Sequence, residues 1–119
     1  MPDSLKGSQI SSIVMTTLKE LQKVKADITT DQALSFLLVS MRPEGVTIDD
    51  LINELGQTKS AASRNLKVLD HGSAPTALGL VDIMLDRENQ RVKRRVLSPQ
   101  GRELLVGIEK ALGKLKIVK

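Results

Sequence analysis

The chain of 119 residues contains no cysteine, tryptophan or tyrosine, and its only aromatic side chain is Phe36. Without cysteine there can be neither a disulfide framework nor a thiolate-held metal, and nothing favours an oxidising compartment. Without a set of aromatics there are no platforms for unstacked bases, which argues against single-stranded nucleic acid as a ligand. The core must be assembled from Leu, Ile, Val, Met and Ala. Histidine is nearly absent too. His71 stands alone, whereas metal sites and proton relays generally need further partners. Beside Gly72 it reads as a helix C-terminal residue whose partial charge suits the dipole.

Other signs of catalysis are equally thin. Asp49 and Asp50 are adjacent, so they diverge from a helix and do not form a carboxylate pair. Gly107 and Gly113 belong to no strand-to-helix phosphate loop. No catalytic residue, metal ligand or cofactor is therefore expected, and the chain does not read as an enzyme. The start of the chain lacks a signal-peptide pattern, and no run of about 18 apolar residues could span a bilayer. The expectation is a small cytoplasmic protein with no membrane partner.

What is present is an uneven distribution of charge. The formal net charge is only +4. Residues 57–102 hold nine Lys or Arg against Asp70, Asp82, Asp86 and Glu88, a local charge of +5, while nine basic and ten acidic residues elsewhere sum to −1. A positive field confined to one segment is the footprint of a duplex-binding surface.

A helix-turn-helix pattern at residues 47–69 leads into that segment. Thr47 with Asp50 three residues later makes a capping box, and Ile48, Leu51, Ile52 and Leu55 then fall on one helical face. Gly56 can adopt the left-handed conformation that ends a helix, and Thr58 can cap the next. In that second helix Ala62, Leu66 and Leu69 line the inner face, leaving Lys59, Ser60, Ser63, Arg64 and Lys67 outside. Short side chains allow close approach to a major groove. Arg64 has the reach and forked donors to bind a guanine edge or a phosphate.

The rest of the chain predicts three more helices and a hairpin. Ile10, Ile13, Val14, Leu18, Leu21 and Val24 recur at helical spacing from about Ser8 to Lys25. Thr29 with Gln32 opens a helix that stops before Pro43. Residues 80–86 and 91–97 alternate around a polar turn at Arg87–Gln90, and Ser98-Pro99 supplies a cap and a first-turn proline for a last helix carrying Leu104, Leu105, Ile108, Leu112 and Leu115. The hairpin bears a second basic cluster, for alternation places Arg91, Lys93 and Arg95 on one face. A basic ribbon of this kind fits along a phosphate backbone or into a minor groove.

The order helix, helix, helix-turn-helix, basic hairpin, helix resembles the MarR family of winged-helix regulators. Lys59-Ser60-Ala61-Ala62-Ser63-Arg64, Gly79-Leu80-Val81, Asp86 through Arg91, and Leu97-Ser98-Pro99-Gln100-Gly101 are similar to that family's K-S-x-x-S-R, G-L-[VI], D-x-x-x-x-R and L-[ST]-x-x-G patterns, over roughly residues 30–106. The resemblance implies a mainly α winged helix-turn-helix with a small β-hairpin. It implies that Ser60, Ser63, Arg64 and Lys67 face a major groove and Arg87 and Arg91 a minor groove. It further implies a homodimeric regulator of transcription joined through its first and last helices. One domain then covers 1–119, with dimerisation helices at 8–26 and 99–116 around a DNA-binding core at 30–98. The link from His71 to Leu78 is longer than the family's.

The apolar stripes of the two terminal helices point to the same dimer, since a small domain has too little core to cover both. Ile10, Ile13, Val14, Leu18, Leu21, Leu105, Ile108 and Leu112 are the expected interface. The expected partners are a second copy and double-stranded DNA with a pseudopalindromic site; a small-molecule effector is left open. Two other readings share this fold: a winged-helix adaptor that binds protein, and a DNA-binding component of phage or plasmid replication or partition.

Overall fold

The structure is a computed structural model that describes residues 5–71 and 77–115. Gly72 to Thr76, most of the long link, lie outside the described residues, as does Lys116 at the expected end of the last helix. The element order is α1 (Gly7–Val24), α2 (Thr30–Ser40), α3 (Ile48–Leu55), α4 (Lys59–Leu69), β1 (Val81–Leu85), β2 (Lys93–Leu97) and α5 (Pro99–Gly113).

Local chemistry sets the boundaries. Thr29 Oγ1 accepts from the Gln32 amide and Gln32 Oε1 from the Thr29 amide, both at 3.1 Å, which satisfies two of the unpaired N–H groups at the start of α2. Thr47 and Asp50 make the same reciprocal box at 3.1 and 2.9 Å, opening α3. Gly56 closes α3 at φ 69°, the left-handed conformation that costs glycine no Cβ clash. After the intervening Gln57, Thr58 Oγ1 accepts from the Ala61 amide at 3.1 Å and α4 begins.

The core sits between α2, α3, α4 and the base of the hairpin. Phe36, Val46, Leu51, Ala62, Leu66, Leu69 and Val81 are fully enclosed there, with Ile48, Ile52 and Leu55 packed against them. The inner faces read for the two helices of the motif are those turned to the core: Ala62, Leu66 and Leu69 of α4 and Leu51 of α3 are buried, and Ile48, Ile52 and Leu55 half-buried. β1 and β2 form an antiparallel ribbon with Val81 opposite Leu97, Ile83 opposite Arg95 and Leu85 opposite Lys93. After the link, Leu78, Gly79 and Leu80 donate their amides to the carbonyls of Val68, Asp70 and Leu69 at 2.8–3.0 Å. The returning chain thereby satisfies the carbonyls that end α4.

The joint between ribbon and last helix is unusually close. Ser98 Oγ donates to the Gly79 carbonyl at 2.6 Å and accepts from the Gly101 amide at 3.0 Å, while the Ser98 amide donates to the Leu80 carbonyl at 3.0 Å. The first turn of α5 lies so near that a Cβ on Gly101 would stand 2.1 Å from that same Leu80 oxygen. Only glycine fits. This gives a physical reason for the Ser-x-x-Gly spacing.

α1 packs chiefly on α5, and Leu21 and Ile108 join this pair to the same buried cluster. The radius of gyration is 15.4 Å, above the roughly 13 Å of a compact domain of this size. The α1–α5 pair forms an arm that joins the domain through Leu21 and Ile108.

Candidate nucleic-acid interface

α4 separates its residues cleanly. Ala62, Leu66 and Leu69 are buried, whereas Lys59, Ser60, Arg64 and Lys67 are exposed and Ser63 is half-buried. Arg64 Nη1 donates to Ser60 Oγ one turn earlier at 2.9 Å, so the guanidinium lies along the outer face. Among the described residues none of Lys59, Arg64 and Lys67 pairs with a carboxylate. Their charges are directed to solvent.

A polar group that sequence reading overlooked fixes how α4 sits. Gln57, in the turn, is buried, donates to Ser35 Oγ of α2 at 3.0 Å and accepts from Asn65 Nδ2 of α4 at 3.0 Å. Ser35 in turn donates to the Asp31 carbonyl at 2.7 Å. Such a satisfied network in a low-dielectric interior holds helices in one arrangement. A glutamine between two caps looks like ordinary turn residue, and only its burial distinguishes it. Arg42 and Glu54 form an ion pair that joins the end of α2 to α3 and raises the arginine above its usual value.

At the hairpin tip Asp86 organises the turn. Its Oδ2 accepts from the Glu88 and Asn89 amides at 3.1 and 3.0 Å, and its Oδ1 accepts from Arg94 Nε at 3.0 Å. The Arg94 guanidinium, with help from those amides, holds the carboxyl below its ordinary value of 3.8. Arg87, Arg91 and Lys93 are exposed and have no carboxylate partner among the described residues.

Three sequence expectations require correction. Arg95 is not on the basic surface: it is 8% exposed, with Nη2 3.3 Å from Asp70 Oδ2. Alternation does place Lys93 and Arg95 on one side of β2. That side faces solvent near the tip but meets the end of α4 midway along the ribbon. Leu21 and Ile108 are likewise 0% and 4% exposed, so they close the protomer's own α1–α5 contact and cannot be the exposed seam of an interface. His71 lies beyond the helix, which ends at Leu69 with Asp70 as its cap. Its Nε2 is 2.9 Å from Asp82 Oδ1, and a Cβ on Gly79 would meet its ring at 3.1 Å. The imidazole therefore answers a β1 carboxylate, not the helix dipole.

The other expected interface residues divide in two. Ile10, Val14 and Leu18 are exposed, Val14 to 49% and Leu18 to 41%, while Ile13, Leu105 and Leu112 are half-buried. Among the described residues no group of three or more His, Cys, Asp or Glu could hold a metal ion, and no helix is long and apolar enough to cross a membrane.

A three-helix core with an outward-facing second motif helix and a basic two-stranded ribbon defines a winged helix-turn-helix. Solved structures share this fold, a MarR family transcription regulator, SP03579, among them. The DNA complex of MepR from S. aureus superposes with a TM-score of 0.68 at 19% identity, covering 88% of this chain and 79% of that one. RV1404 from Mycobacterium tuberculosis gives 0.67 at 16% identity, with 92% and 76% covered. A structure of MarR gives 0.57 at 21% identity, with 89% and 76% covered. No family model and no curated protein matches the sequence. The likeness is one of fold.

Proposed function

We propose that this protein is a transcriptional regulator that binds double-stranded DNA as a homodimer. The observation that carries the reading is the outer face of α4, where Lys59, Ser60, Arg64 and Lys67 are exposed on a helix whose opposite face is fixed in the core. Small hydroxyls beside long cations suit a helix that must enter a groove and reach base edges. Arg64 and Ser60 read bases together with Ser63. Lys59 and Lys67 neutralise phosphates, and Arg87, Arg91 and Lys93 follow the adjacent backbone or minor groove. The related fold of MepR was solved with DNA, which supports the same use of this surface.

The dimer rests on the arm. Ile10, Val14 and Leu18 leave an apolar stripe on α1 that soluble monomers seldom expose, and the half-buried Ile13, Leu105 and Leu112 border it. A two-fold interface here presents two recognition helices to one side of a duplex, so the site is a pseudopalindrome with half-sites about one helical turn apart. The test is selection of duplexes from a randomised pool followed by a salt titration. Affinity is expected to fall by roughly 10³-fold from low to moderate ionic strength if the dimer neutralises about six phosphates. A flat salt response, or a selected site without two-fold symmetry, would refute the respective halves of the proposal.

A further inference from the structure

The most unusual group outside the basic surface is a buried charge pair. Arg95 lies at the centre of β2, and its backbone is bonded in both directions to Val46, just before α3, at 2.8 and 2.9 Å. Its side chain reaches Asp70, which caps the end of α4 and whose carbonyl accepts from Gly79 on the approach to β1. One residue thus touches the start of the helix-turn-helix, the end of the recognition helix and the wing.

As a source of stability the pair is poor. A single contact of 3.3 Å joins the two groups, and among the described residues neither Asp70 Oδ1 nor Arg95 Nε, both buried, has a hydrogen-bond partner. A carboxylate at a helix C-terminus also faces the negative end of the dipole. Buried ion pairs with unsatisfied atoms commonly fail to recover their desolvation cost, and apolar residues of similar size can replace both members without loss. Its members nevertheless join the three elements that present the basic surface. The interaction is directional where apolar packing is not.

We propose that Asp70 and Arg95 are positioning residues that hold the wing at a fixed angle to α4, so that Arg64 and the cations of the hairpin tip meet one duplex together. This inference rests on the DNA-binding reading. With the pair replaced by apolar side chains, the base of the ribbon stays tied to the end of α4 and to Ser98, but the directional restraint on the angle of its outer half to α4 is lost, and the ordering that the native pair supplies in advance must be met during binding.

The absence of cysteine allows a direct test. Spin labels at Lys67→Cys and Gln90→Cys, in chains diluted with unlabelled protein, report the distance between α4 and the wing tip within one protomer. The doubly substituted Asp70→Leu/Arg95→Met protein is expected to melt at or above the wild-type temperature while its distance distribution broadens or shifts. On a duplex selected by the wild type, the unlabelled double variant should bind roughly tenfold more weakly, with a smaller loss on a scrambled duplex. A double variant less stable than the wild type would make the pair a stabilising contact and overturn the proposal. An unchanged distance distribution in the folded variant would overturn it as well. Failure of the wild type to bind any duplex would instead sink the DNA-binding reading and leave the distance measurement standing.

Discussion

At the residue scale, the same side-chain type serves opposite ends according to where its backbone places it. Arg64 lies along an exposed helix face and is held by Ser60; its replacement by Ala should cost about 1–3 kcal/mol of duplex affinity and relax base preference, measured by binding to single-base variants of the selected site. Lys93→Ala should instead weaken all duplexes alike and lower the salt slope by about one. Unchanged site preference in Arg64→Ala would move the reading face elsewhere. Gly101 is constrained by contact, because its neighbour is a carbonyl oxygen already engaged by Ser98. Gly101→Ala should therefore destabilise the fold by about 2 kcal/mol or more in chemical denaturation, as overpacking against backbone has no flexible side chain to yield.

At the element scale, the wing depends on one ionised carboxylate. Asp86 accepts from two turn amides and from Arg94, and its pKa lies below the unfolded value of 3.8. A depressed folded pKa means that its stabilisation is fully present above the unfolded value and is lost as pH falls through the folded one. The amide resonances of Glu88 and Asn89 should therefore stay unchanged from neutral pH down to about 5 and move toward unfolded positions only below about 4. Melting of the tip near pH 6 would contradict this account. In α4 the cap is simpler. Thr58→Ala removes the acceptor of the Ala61 amide and should cost about 1 kcal/mol of stability.

At the scale of the whole molecule, the arm separates assembly from folding. Val14 and Leu18 are largely exposed in the protomer, whereas Leu21, on the same helix, is enclosed against α5. Val14→Glu with Leu18→Glu should thus yield a folded monomer in sedimentation, with a large loss of affinity for the two-fold site because each half-site is then bound alone. Leu21→Glu should unfold the arm, since its charge would be buried without a partner. A wild-type protein that sediments as a monomer at tens of micromolar would rule out the dimer.

Element boundaries were written in local sequence. Caps at Thr29, Thr47, Thr58 and Ser98, the left-handed Gly56 and the block at Pro43 act within a few residues, so short spacings reveal them. The inner faces of α3 and α4 followed from helical periodicity for the same reason. Tertiary structure decided what local spacing cannot carry: that Arg95 turns into the protein where β2 meets α4, that Leu21 and Ile108 face each other's helices instead of a second copy, that Gln57 is buried between α2 and α4, and that His71 pairs with Asp82. Periodicity tells which residues share a side. Only the arrangement of neighbouring elements, made by contacts distant in sequence, determines whether that side meets water, a partner helix or an opposite charge.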